Sequence, residues 1–193
     1  MSSIVIAGNT SGAITIAAPA EAGLNTLTLP ASTGTVALTS TAVQTHLTTT
    51  SSQSNTASVR TNILGLNATI TPSTTSKRVK ITIRWNGEHS NTSAHNQVFG
   101  IKRDTTDIGN PAASGSLTVG MAIVAMGYYA AEASTTPDSA TYIYIDSPAT
   151  TSATTYHATY LALNGGTLYN QRTVLDSGTA ERLTSNIILE EID

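Results

Sequence analysis

Arg78-Val79-Lys80-Ile81-Thr82-Ile83-Arg84-Trp85 alternates without a break between polar and apolar side chains. A strand turns successive side chains to opposite faces, so this run puts Arg78, Lys80, Thr82 and Arg84 on a wet face and Val79, Ile81, Ile83 and Trp85 on a dry one. The octapeptide therefore predicts a strand with one solvated face, and its basic side chains read as that face and not as a nucleic-acid stripe. Working outward, residues 62–70 read as a strand set off by the Thr71-Pro72-Ser73 turn, and Asn86-Gly87 reads as a tight turn closing the octapeptide's strand. Residues 98–103 follow as a strand, then Asp107-Ile108-Gly109-Asn110-Pro111 as a loop. Residues 117–129, 141–145, 155–163, 167–171 and 186–192 supply the remaining strands, with Asn164-Gly165-Gly166 as another hairpin turn. About eight short strands with polar turns between them predict an all-β, two-sheet sandwich of jelly-roll type.

Composition agrees. Charged residues are 11% of the 193, and Ser with Thr exceed a quarter, a mixture that suits strands and leaves little for long helices. The net charge of −3 argues against a partner that is nucleic acid. With no cysteine there is neither a disulfide framework nor a thiolate site. No stretch approaches the roughly 20 apolar residues that span a bilayer, so membrane insertion is not expected and assembly in a cytoplasm is.

The first forty residues pose a different problem. Ser11-Gly12-Ala13-Ile14-Thr15-Ile16, Asn25-Thr26-Leu27-Thr28-Leu29-Pro30 and Gly34-Thr35-Val36-Ala37-Leu38-Thr39 each read as a thin strand with two or three apolar side chains. Fixing a backbone costs roughly 1–2 kcal/mol per residue, which a few half-buried Ile, Leu and Val at about 1.5–3 kcal/mol each do not offset. The segment needs a partner surface, and Ile14, Ile16, Leu27, Leu29, Val36 and Leu38 are its candidate docking side chains. The expected organisation is a docking or trimerisation arm over 1–40, a Ser/Thr-rich connector over 41–58 with a short helical turn at 42–47, and a β-sandwich head over 59–193.

Two stretches carry a family resemblance. Thr10-Ser11-Gly12-Ala13-Ile14-Thr15-Ile16-Ala17-Ala18-Pro19, with Gly23-Leu24-Asn25-Thr26-Leu27-Thr28-Leu29-Pro30 and Thr33-Gly34-Thr35-Val36-Ala37-Leu38-Thr39-Ser40, resembles the N-terminal module of tailed-phage fibre and virion-surface proteins. Ile145-Asp146-Ser147-Pro148-Ala149-Thr150-Thr151-Ser152-Ala153-Thr154-Thr155-Tyr156, Gly165-Gly166-Thr167-Leu168-Tyr169-Asn170-Gln171 and Thr184-Ser185-Asn186-Ile187-Ile188-Leu189-Glu190-Glu191-Ile192 resemble the head domain of phage fibres and capsid decoration proteins. The resemblance implies a homotrimeric virion structural protein with no catalytic activity and no cofactor. It would dock on the major capsid protein or another virion protein, on the outer surface of the capsid or alternatively on the tail. The alternative is a fibre whose tip binds a host glycan. A secreted carbohydrate-binding module is the third reading, disfavoured for want of an export signal.

Catalytic and metal patterns are weak. Glu88-His89 with His95 is the one close His pair with an adjacent acid, in a Ser/Asn-rich stretch, and reads as exposed loop, as do Asp104 and Asp107. Asp138, Asp146 and Glu181 are scattered, and no two acids read as the flanking pair of a glycosidase. His157 reads as a strand-face residue. Tyr142 with Tyr144, and Tyr156 with Tyr160, are same-face pairs at period two, read as core or interface ahead of a sugar platform.

Overall fold

The computed structural model describes residues 3–7, 13–17, 41–89, 97–124 and 135–193. Among them there are strands and turns and no helix. The strands are β1 Ser3–Ala7, β2 Ala13–Ala17, β3 Ala42–Leu47, β4 Ser51–Asn55, β5 Thr61–Ile70, β6 Arg78–His89, β7 Gln97–Arg103, β8 Thr106–Ile108, β9 Ala122–Ile123, β10 Asp138–Asp146, β11 Thr154–Ala162, β12 Gly166–Asn170 and β13 Ser185–Ile192. The chain divides into two units, Met1–Leu38, which holds the β1–β2 hairpin, and Thr39–Asp193, which holds two antiparallel sheets.

The octapeptide lies in β6, the central strand of the six-stranded sheet, and its alternation is realised residue by residue. Val79, Ile81, Ile83 and Trp85 are buried, while Arg78 and Arg84 are exposed and Lys80 and Thr82 half-exposed. One edge of β6 pairs with β10 from Val79 to Gly87. The opposite edge serves two partners in succession, β13 over Arg78–Arg84 and then β12 over Gly87–His89. β3 extends the sheet beyond β13, and β4 beyond β12. The second sheet runs β5-β11-β7-β8, with β9 also on β7. Ile81, Ile83, Trp85, Ile187 and Leu189 of the first sheet share one apolar cluster with Ile63, Leu66, Phe99, Ile101, Tyr156 and Tyr160 of the second. At about 1.5–3 kcal/mol per fully buried large side chain, this cluster is the main stabilising term.

Asn86-Gly87 is therefore not a turn. It lies inside a twelve-residue strand, at the point where β6 changes partner from β13 to β12. A buried backbone group left unpaired there would be costly, and one side chain and one backbone N–H prevent it. Asn86 N donates to Ser185 Oγ at 2.9 Å and Asn86 O accepts from Gln171 N at 3.0 Å. The Gln171 amide, with its nitrogen on the carbonyls of Thr49 and Asn170, accepts from Ser185 Oγ at 2.8 Å. Trp85 Nε1 donates to Asn170 Oδ1 at 2.8 Å. Gly87 is a glycine for a steric reason: a Cβ would run into the Tyr169 carbonyl oxygen and lie 2.7 Å from Trp85 Cζ2.

Other expectations are also revised. The helical turn expected at 42–47 is the strand β3, because Val43, Thr45 and Leu47 face inward at alternate positions while Ala42, Gln44 and His46 are exposed. The stretch read as connector thus contributes β3 and β4 to the six-stranded sheet. β4 is almost wholly polar, and its buried end is held by Asn55, whose side-chain amide donates to Val59 O and Thr61 Oγ1 and accepts from Ala162 N. Part of the 107–111 loop is β8, paired with β7. Asn164-Gly165-Gly166 does form a turn, with φ of +66° and +126° at the two glycines, yet it joins β11 of one sheet to β12 of the other and is not a hairpin. Within 117–129 the described strand is β9, and residues 125–134 lie outside the described residues.

Candidate functional site

The N-terminal unit contains two of the expected docking residues, Ile14 and Ile16. β1 and β2 pair antiparallel, with Ile4 opposite Ile16, Val5 opposite Thr15 and Ile6 opposite Ile14. Of the expected docking residues, Ile14 and Ile16 lie in β2, while Leu27, Leu29, Val36 and Leu38 lie outside the described residues. The sequence alone places the first strand of the 1–40 arm at Ser11 and misses β1. The signal was present in Ser3-Ile4-Val5-Ile6-Ala7, a β-branched run a single hairpin's reach from Ala13.

The acid and histidine at the end of β6 are not exposed loop residues. Glu88 is buried, its Oε2 accepting from Val174 N at 2.7 Å and its Oε1 from Thr136 Oγ1 at 3.1 Å. It pins two loops onto the outer face of the six-stranded sheet. His89 is buried with its ring 5.4 Å from that of Tyr160, and its Nδ1 lies 2.8 Å from the Gln97 side-chain nitrogen, so the ring nitrogen accepts and Gln97 donates. Burial lowers the His89 pKa from its usual 6.5 to about 4, which keeps the ring neutral. His95 lies outside the described residues. Among the described residues no group of three or more His, Cys, Asp or Glu is placed to hold a metal ion.

The remaining titratable groups cross-link elements. Asp146, buried at the end of β10, accepts from Arg103 at 2.9 Å and from Tyr156 Oη at 2.7 Å, tying the first sheet to the second. Burial, reinforced by Asp146, raises the Tyr156 pKa. Glu191 accepts from Ser73 N at 2.5 Å and Ser73 Oγ at 2.7 Å, fastening the 71–73 turn to β13, and these two bonds lower its pKa. Arg60 lies over Gly100 on the outer face of the second sheet, donating to Thr159 Oγ1 at 3.2 Å and Val119 O at 2.5 Å, with Asp107 at 3.5 Å. Burial outweighs Asp107 and lowers the guanidinium pKa. Asp104 turns the chain at φ +52°, its carboxylate accepting from Thr155 N. His157 stands half-buried on a strand face, as expected, opposite Asn67 and Lys102. Tyr142, Tyr156 and Tyr160 are core residues, and Tyr144 packs half-buried against the same cluster.

The outer face of the six-stranded sheet is mixed in character. The register aligns Ile143, Thr82, Ile188 and Gln44 across one row and Ile145, Lys80, Glu190 and Ala42 across the next. Lys80 and Glu190 form a 2.7 Å ion pair there, while Ile143 and Ile145 are 57% and 46% exposed. Neither a protein-family model nor a curated protein matches the chain.

Proposed function

We propose that this chain is a non-enzymatic structural protein of a tailed-phage virion, a capsid decoration or cement protein that docks through its N-terminal hairpin and projects the two-sheet unit as a head. The observation that carries the reading is the partition of the chain: residues 39–193 own the apolar core, and the N-terminal unit holds a two-stranded ribbon in which Ile4 is paired with Ile16 and Ile6 with Ile14. A lone two-stranded ribbon is marginal in water, so a ribbon this rich in isoleucine has its use against another surface. The resemblance of the 10–40 and 145–192 stretches to virion-surface proteins names that surface as a phage particle. The head is of jelly-roll type in this reading, and the assembly is a homotrimer, in which three arms engage neighbouring sites and raise one another's effective concentration. Buried carboxylates that end on Ser, Thr, Tyr, Arg and backbone partners fit a scaffold better than a reaction centre. A tail-fibre role is the second reading, since fibre proteins share both the N-terminal and the C-terminal resemblance. Antibody against the purified protein, applied to particles whose genome encodes it and imaged by negative stain, tests the proposal. Label over the head is expected. Label on the tail selects the fibre reading, and particles free of label overturn both.

A further inference from the structure

The chain contains two Asn-Gly dipeptides, Asn86-Gly87 and Asn164-Gly165, and the fold treats them in opposite ways. Asn-Gly is the dipeptide in which a side-chain amide is most open to attack by the following backbone nitrogen, because glycine has no Cβ to obstruct the approach. Asn86 is buried in β6, its Nδ2 donates to Thr184 O at 2.5 Å, and Gly87 is paired on both sides, to Asp138 and to Asn170. Ring closure there would require the sheet to open. Asn164 is exposed, in the turn between β11 and β12. Gly165 follows it at φ +66°, and its N–H donates to Ala162 O at 3.2 Å, the long end of the hydrogen-bond range.

We propose that Asn164 is a site of spontaneous deamidation and that Asn86 is protected by the fold. The Gly165 backbone nitrogen attacks Asn164 Cγ. A C–N bond forms, the Asn164 side-chain nitrogen leaves as ammonia carrying the proton from Gly165, and a five-membered succinimide remains. Water then opens the ring at one of its two carbonyls. One opening gives aspartate in the normal backbone, the other isoaspartate, whose main chain runs through Cγ; either adds one negative charge. The place matters because this turn carries the chain from one sheet to the other. Gly165 packs against the β4–β5 link, where an added Cβ would lie 2.9 Å from Asn55 O and 3.1 Å from Ala57 N. Ser58 N donates to Ala162 O at 3.0 Å and Ser58 Oγ to Leu163 O at 3.3 Å. An isoaspartate lengthens the main chain at residue 164 and strains these contacts.

The full-length protein is incubated at mildly alkaline pH, folded and in parallel in guanidinium, and protease fragments covering each dipeptide are followed by mass spectrometry with isoaspartate detection. In the folded protein Asn164 is expected to convert at least about tenfold faster than Asn86, while in guanidinium both convert at similar rates. Asn164→Gln is expected to abolish the gain of negative charge on isoelectric focusing of the folded protein. Folded-state conversion of Asn164 no faster than that of Asn86, or unchanged charge drift in Asn164→Gln, overturns the proposal.

Discussion

Two residues at the far end of β6 show how burial changes the meaning of a side chain. Asn86-Gly87 has the composition of a turn, but Gly87 is the residue that lets β12 close onto β6 beside Trp85. Gly87→Ala is expected to cost about 1–3 kcal/mol, the range for overpacking against groups that do not yield, since the obstructing atom is a backbone oxygen. Denaturant unfolding followed by fluorescence of Trp85, the one tryptophan, measures it. A change within error of wild type would show that the strands separate freely at this point. His89 supplies a pH test. Its folded pKa of about 4 lies below the usual 6.5, so between these values the unfolded chain binds a proton that the folded chain does not. Stability held above pH 6.5 is therefore lost as pH falls from 6.5 toward 4. His157, lowered by burial, acts with the same sign, and Glu191, lowered by its Ser73 bonds, extends the loss below its usual 4.5. Unfolding midpoints recorded across pH 4–8 are expected to fall on the acid side, and His89→Gln to flatten the upper part of that slope; an unchanged slope in the variant would contradict the neutral, buried assignment.

At the scale of elements, the hairpin and the two-sheet unit are expected to be separable. Replacing Ile4, Ile6, Ile14 and Ile16 together by Ser removes the isoleucines of the β1–β2 ribbon and leaves every residue of the 39–193 core unchanged. The thermal midpoint of that unit should then stay within the roughly 0.5 kcal/mol scatter of surface substitutions, while incorporation into particles is lost. Full occupancy on particles by the quadruple variant would sink the docking role, and a large drop in midpoint would show that the ribbon is part of the head's own packing. The elements also show where alternation was a sufficient guide. β10 and β13 follow it closely, whereas β5 breaks phase between Ile63 and Leu66, β7 is buried from Gln97 to Ile101, and β11 is buried at Ala158, Thr159 and Tyr160 in succession. β4 escaped notice because Ser51-Ser52-Gln53-Ser54-Asn55 has no apolar row, and its place is held by pairing with β12 and by the Asn55 side chain.

For the whole molecule, the assembly state is the quantity that most tests the proposed role. Light scattering of the purified full-length chain at micromolar concentration is expected to return three times the 19.9 kDa protomer mass. A monomer mass would remove the trimer from the proposal, and with it the gain in effective concentration by which weak arms hold firmly. The buried links between the sheets, Asp146 with Arg103 and Tyr156 above all, belong to one protomer, so the 39–193 unit is expected to unfold cooperatively whatever the state of the arms.

By itself the sequence determined the all-β class and most of the strands, because an unbroken period of two, as in residues 78–85, is a local property that tertiary packing had no reason to override. Its expectation that the first forty residues need a partner surface stands as part of the proposal, and β1 went unread beside β2. Only the tertiary structure decided the partners. That β6 continues through Asn86-Gly87 and exchanges β13 for β12 depends on Ser185 and Gln171, which lie about a hundred and about eighty-five residues away along the chain, distances across which turn propensity carries no information. Likewise Glu88 and His89 sit in a polar stretch whose composition signals exposure, and are buried because Val174, Thr136, Gln97 and Tyr160 arrive from other elements to cover and bond them. A strand pattern is written in neighbouring residues, whereas the burial of a polar side chain is written in whatever the fold brings against it.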